Sequence, residues 1–264
     1  MSRLIFKKAR WRFALRPKPG MIITMVEQRK WGAAPSFGPR QWLRHRLLLK
    51  EISRLGSGEI LDAGCGEGRM EQLLGRSDFS LFGFDESRKS IETACTSAPG
   101  AIFLRAGINS MPFAGNKFDA VVSGDVLEHI EDDKAAVAEI FRVLKPGGMA
   151  VISVPADPQK WSIDDDWSGH KRRYAKEQLI SLFKSSGFET VSCYHWGWPV
   201  TWIYYRLFYI PMLGRRVRGS KILEPKGMTT SKWMEFVFRL AFLPDSLLLG
   251  IESGIGIIAV FKKL

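Results

Sequence analysis

The chain has 264 residues, 45% of them apolar or aromatic, and a net charge of +12, enough to bury one good core with some additions around it. Its three cysteines, Cys65, Cys95 and Cys193, are an odd number without disulfide or metal-ligand spacing, which excludes a disulfide scaffold and points to a reducing, cytoplasmic compartment. The charge is unevenly spread: residues 1–50 hold 13 Lys or Arg against one acid, residues 51–195 hold 16 against 22, and residues 196–264 hold 10 against four. An acidic body between two basic flanks marks an anionic partner: a membrane surface, a phosphate-bearing substrate or nucleic acid.

Residues 1–27 read as a basic arm, and residues 28–264 as one folded domain. Lys7, Lys8, Arg10 and Arg12 break any apolar run that a secretory signal would need, so no cleavage is expected. The breaker run Pro17, Pro19, Gly20 ends the first part of the arm. Its role is open between a solvated tail and an interfacial anchor using Trp11 and Phe13. From Arg40 to Leu55 the spacing of Trp42, Leu43, Leu47, Ile52 and Leu55 predicts a helix.

Strands and helical segments then alternate. The strands are expected at 59–62, 81–85, 101–104, 120–123 and 150–154, with a helix over Lys134–Leu144 that stops at Lys145-Pro146-Gly147-Gly148. A further helix, Lys176–Ser186, precedes strands at 189–195 and 257–262. Such alternation implies a parallel sheet with helices on both faces and a ligand site at the carboxyl ends of the strands. Two strand ends carry chemistry. Ile60–Gly68 reads ILDAGCGEG, an apolar strand ending in Asp62 and running into Gly64, Gly66 and Gly68 before a helix start. Arg69 occupies the place of the third glycine in a dinucleotide fingerprint, which argues against a pyrophosphate. One strand later Asp85 stands where a carboxylate can accept from both hydroxyls of a ribose.

LDAGCGEG, FDES, FDAVVSGDVLEHI and LKPGGMAVISVP, in that order and at these spacings, resemble the motifs of the class I S-adenosylmethionine-dependent methyltransferases over residues 55–195 and the last strand. The resemblance implies a Rossmann-like seven-stranded, mostly parallel α/β sheet of order 3-2-1-4-5-7-6, with S-adenosylmethionine as cofactor; the residues themselves give no reason to expect a metal. It assigns the cofactor to Asp62, Gly64, Cys65, Gly66, Gly68, Asp85, Glu86, Ile108, Asn109, Gly124, Asp125 and Val126. Where relatives carry an acid near the adenine, this chain has Gly107, so Ile108 and Asn109 are expected to substitute. Trp31 and Arg40 match residues that help close the pocket.

The polar, Trp-rich and non-periodic run Pro155–Tyr174, containing WSIDDDWSGHKRRY, is expected to form a loop-like lid over the methyl acceptor. Its Gly-His pair followed by Arg-Arg-Tyr is similar to methyltransferases of bacterial cell-surface glycan and quinone pathways. His170 is the first candidate base, oriented by Asp166, with His129, at the start of the next helix, as a second. Trp167, Arg172, Arg173 and Tyr174 are candidates for holding the acceptor. Three consecutive side chains, Asp164–Asp166, cannot all face one ion, so solvated acids are expected there.

About sixty residues, 196–255, separate the last two strands. WGWPVTWIYYRLFYIPML is apolar and aromatic, but Pro199, Arg206 and Pro211 interrupt it as a membrane span. A helical insertion lying in a membrane interface is expected, against the alternatives of a pocket lid or a dimer surface. The leading expectation is O-methylation of an amphipathic or lipid-linked acceptor by a protein peripheral to the inner membrane face. The alternatives are a soluble small-molecule methyltransferase and an RNA methyltransferase. GDVLEH lacks the Asn-Pro-Pro-aromatic motif of many base-modifying enzymes, which disfavours the last. The acceptor atom and oligomeric state are open.

Overall fold

The computed structural model describes residues 38–75, 78–218, 237 and 240–264. The arm over 1–27, Trp31 and the middle of the insertion lie outside the described residues.

Helix α1 (Pro39–Ile52) places Pro39 in its first turn, where the missing N–H is not needed, and buries Trp42, Leu43, Leu47, Leu48 and Ile52. The sequence period carries three residues further; Ser53–Leu55 tighten into a 3-10 turn. There follow β1 (Ser57–Ala63), α2 (Arg69–Leu74), β2 (Asp78–Asp85), α3 (Arg88–Ser97), β3 (Ile102–Arg105), β4 (Phe118–Gly124), α4 (Asp133–Val143), β5 (Leu144–Pro155), α5 (Ile163–Ser168), α6 (Lys176–Ser185) and β6 (Phe188–Trp196). The insertion contributes α7 (Val200–Tyr204), a π-turn (Tyr205–Tyr209), α8 (Ile210–Arg218) and α9 (Leu243–Leu247), and β7 (Gly256–Lys263) closes the sheet.

The seven strands run in the order β3-β2-β1-β4-β5-β7-β6, as expected. The first five are parallel, and β7 is antiparallel to both β5 and β6. Strand residues alternate between two faces. Leu61, Val121 and Ile152 join a core with Ile140, Phe183 and Phe261, while Ile60, Val122 and Val151 join one with Leu43, Leu48 and Ile258. Each central strand is therefore buried on both sides, and its functional residues collect at the carboxyl edge.

Two local expectations fail. Glu128 and His129 do not begin a helix; they lie in a 3-10 turn, Leu127–His129, and α4 starts later, where the Asp132 side chain accepts from the N–H of Ala135. The lid is not a plain loop either. Ser162 and Asp165 form a capping box that starts α5, a spacing of polar residues visible in the sequence.

Candidate active site

The loop after β1 is bent by Gly64, at φ +86°, where a side chain would run into Val126. Gly66, at φ +52°, has open space where its side chain would be. Across the β2 edge, Asp85 accepts the N–H of Gly66 at 3.1 Å and that of Ser87 at 2.8 Å, one on each carboxylate oxygen. Each oxygen keeps a lone pair, so the carboxylate can still accept from two neighbouring hydroxyls. The site opens onto a cavity of about 630 Å³, the size of a small-molecule site.

The electrostatics favour a cationic ligand at one end. Burial, helped by the charge of Asp85 and opposed by Arg44, pushes the Asp62 carboxyl up to about 7. Asp85 is raised by its burial, against the pull of its two N–H donors. An ammonium or sulfonium brought beside these acids would offset their cost. Cys65 lines the same wall, and its thiol is driven upward by burial and by Asp62, so it is an inert packing group.

The other wall comes from α1 and the lid. Arg40 and Arg44, one helical turn apart, face the cavity together. Arg44 pairs with Asp125, which sits at φ +59° after β4 and also accepts from the Ser153 hydroxyl at 2.7 Å. Burial alone would raise Asp125, but Arg44 and Ser153 hold its carboxyl below the ordinary range. Arg40 reaches 124 residues along the chain to Asp164 at 2.7 Å. Asp164 also accepts from the hydroxyls of Tyr205 and Tyr209, at 3.1 and 3.0 Å, and Arg40 lies over both rings. The insertion is thus fastened directly to the lid and to α1.

Asp165, fully buried, organises the lid. It accepts from Arg173 at 2.7 and 2.9 Å, from the Ser162 N–H at 2.7 Å, and from Nδ1 of His170 at 2.8 Å. Burial opposes its ionisation, yet these donors pull its carboxyl down to about 2. A carboxylate so acidic is an acceptor only, so Nδ1 of His170 donates that bond, and Nε2 lies 3.9 Å from Oε1 of Glu128. The orienting acid is therefore Asp165. Asp166, expected in that role, turns outward and accepts from the Trp161 indole at 3.0 Å. The three aspartates point in three directions, as their adjacency requires, but Asp164 and Asp165 are buried and paired rather than solvated as expected.

Of the residues singled out from the sequence, Asp62, Gly64, Cys65, Gly66, Asp85, Glu86, Gly124, Asp125, His129, His170, Arg173 and Arg40 line the cavity. Gly68 shapes the start of α2 at φ +75°, and Val126 packs on Gly64; neither lines it. The side chain of Ile108 belongs to the core, which leaves only its backbone groups for the role expected of it, and Asn109 is exposed. A side chain at Gly107 would come within 3.0 Å of the Glu86 carboxylate, so Glu86 already fills the space that an acid there would use. Trp167 does not line the cavity. Arg172 is drawn away by Asp133 at 2.7 Å, and Tyr174 is buried with its hydroxyl on Asp133 at 2.9 Å. Those two hold the base of the lid to α4 and are not placed to touch an acceptor. Arg44, Ser87, Asp164, Tyr205 and Tyr209 were not anticipated. Arg44 alone had a signal, its position four residues after Arg40.

A family profile described as "Methyltransferase domain" matches residues 61–152. The ubiquinone/menaquinone biosynthesis C-methyltransferase UbiE of Desulfotalea psychrophila is 30% identical over 143 residues, 53% of each chain. The uncharacterized methyltransferase YdaC of Bacillus subtilis is 31% identical over 147 residues, 53% of this chain and 78% of that one. A solved S-adenosylmethionine-dependent methyltransferase from Mesorhizobium loti superposes with a TM-score of 0.59 at 16% identity, over 86% of this chain and all of that one, a likeness of fold. The chain spans roughly half to three fifths of the length of several curated relatives that it matches. The profile falls on the strands that carry the Gly64 turn, Asp85 and Asp125, and with these likenesses it makes this chain a member of the class I S-adenosylmethionine-dependent methyltransferases.

Proposed function

We propose that the protein methylates a hydroxyl of an amphipathic, lipid-linked acceptor at an anionic membrane surface. The observation that carries the reading lies in one stretch of the insertion. Thr201, Tyr205, Tyr209 and Leu213, at four-residue spacing, turn inward: Thr201, Tyr205 and Leu213 are buried, and Tyr205 enters the cavity wall. On the outside, Leu207 and Phe208 are each 64% exposed, flanked by exposed Ile203, Met212, Arg206 and Arg215. An apolar outer face edged by cations is the pattern of an interfacial helix, with arginines meeting lipid phosphates. Leu243, Leu247 and Leu248 add exposed apolar surface from the same insertion. Among the described residues no helix is long and apolar enough to cross a membrane.

Asp85 would hold the ribose of S-adenosylmethionine and the Gly64 turn its amino-acid end. When bound, that cofactor supplies a methyl group already activated as a sulfonium. The chain's own work is then alignment and removal of the hydroxyl proton. Tyr205, Arg40 and Asp164 form a fixed wall beside the acceptor space, and the acceptor's proton leaves toward the cluster of Glu128, His129 and His170.

Sedimentation with vesicles tests the membrane part. The wild-type protein is expected to pellet with phosphatidylglycerol-containing vesicles at low salt and to be released as salt rises. Replacing Leu207 and Phe208 together by Ser should weaken vesicle binding by about tenfold or more, since each loses an apolar side chain worth about 1.5–3 kcal/mol when fully buried. Affinity for S-adenosylhomocysteine should not change. Wild-type protein remaining in the supernatant at low salt would contradict the reading.

A further inference from the structure

The cofactor cradle leaves one cluster unexplained. Glu128 is fully buried in the turn after β4, and neither of its carboxylate oxygens has a hydrogen-bond partner. Its Oε1 lies 3.9 Å from Nε2 of His170, and the ring of His129 meets that of His170 edge to face at 4.8 Å. One donor atom from each of the three residues lies within 4.8 Å of the others. A buried carboxylate with nothing to accept from is costly. Native structures rarely keep such a group without a purpose.

His170 is set as a metal ligand would be. Its Nδ1–H is spent on Asp165, itself locked by Arg173, so Nε2 is the ring nitrogen turned toward Glu128. A ligating histidine nearly always donates its other ring N–H to a carboxylate or carbonyl in this way. Bonds of about 2.0–2.2 Å to a first-row ion place donor atoms about 3–4 Å apart, a spacing that small side-chain rotations reach from the present one.

We propose that Glu128, His129 and His170 bind one divalent first-row transition cation, at the acceptor end of the cavity. Two imidazoles and one carboxylate suit Zn²⁺, Mn²⁺ or Fe²⁺ rather than Ca²⁺, and three protein ligands leave positions open on the ion. His129 and His170 line the same cavity as Asp62 and Asp85, so the open positions face the space left for an acceptor. The consequence for chemistry rests on the hydroxyl reading above: a hydroxyl coordinated there gives up its proton more readily. Its oxygen then forms the bond to the methyl carbon as the sulfur–methyl bond breaks, and the proton passes to solvent. The binding itself does not depend on that reading.

The test uses the full chain, stripped with chelator and titrated calorimetrically with Mn²⁺ alone and then with Co²⁺, whose visible spectrum reports its ligands. One equivalent per chain is expected, with Co²⁺ bands of nitrogen and oxygen ligation and no thiolate charge transfer. Glu128→Gln, nearly isosteric, should weaken Mn²⁺ binding at least about tenfold while S-adenosylhomocysteine affinity stays within about threefold; His129→Asn should do the same. Binding well below one equivalent, unchanged Mn²⁺ affinity in both variants, or thiolate bands from Cys65, Cys95 or Cys193 would overturn the site. Metal binding with S-adenosylhomocysteine binding absent would remove the methyl-transfer reading and leave the cation site standing.

Discussion

Asp85→Ala is expected to lower affinity for S-adenosylhomocysteine by about a hundredfold or more while leaving the fold intact. The carboxylate sits at the end of β2 with one N–H on each oxygen and a lone pair remaining on each. Two ribose hydroxyls bound there would each make a charge-assisted bond worth about 1.5–3 kcal/mol, and about 2.8 kcal/mol is a hundredfold in affinity. The variant also removes a carboxylate whose burial is unfavourable without ligand, so the free protein should unfold within a few degrees of wild type. Calorimetric titration and a melting curve separate the two effects. Unchanged affinity would remove the ribose assignment.

Asp165→Ala should have the largest effect on stability of any single change in the lid. Asp165 is fully buried and holds Arg173, itself 5% exposed, through two hydrogen bonds, while also fixing Ser162 and His170. Removing one partner of a buried ion pair strands the other charge, at about 3–5 kcal/mol. At about 2–4 °C per kcal/mol for a domain of this size, the melting temperature should fall by roughly 10 °C. Methyl transfer should fall further than that loss explains, because His170 loses its orientation, whereas S-adenosylhomocysteine affinity measured well below the melting temperature should change little. Asp166→Ala is the control. Its side chain accepts from the Trp161 indole at the surface, so its effect should stay within about 0.5 kcal/mol. Equal melting curves for the two variants would contradict the assignment of Asp165 as the centre of the lid.

The contrast between these neighbours shows what the sequence could reveal. The cofactor half of the site was legible because it is local: Asp62, the glycine turn and Asp85 follow from strand ends and from one adjacent strand pairing, Ala63 beside Phe84. The strand order came with the family resemblance that these motifs carry. The opposite wall was not, because its partners come from far along the chain. Nothing near Asp164 announces that Arg40 lies 124 residues before it or that Tyr205 and Tyr209 arrive from the insertion. Which of three consecutive aspartates faces inward depends on where α5 starts. The Ser162–Asp165 capping box sets that start, and reading it would have turned Asp165 rather than Asp166 toward His170. Glu128 was passed over because its buried, unpartnered state exists only once β4, α1 and the lid have closed around it.

The most direct test of the account is a crystal structure of the protein with S-adenosylhomocysteine. It should show the ribose hydroxyls within hydrogen-bonding distance of Asp85, the amino-acid end along the Gly64 turn beside Asp62, and the sulfur directed at the space bordered by His129 and His170. A ligand bound elsewhere, or one whose sulfur faces away from those histidines, would contradict it.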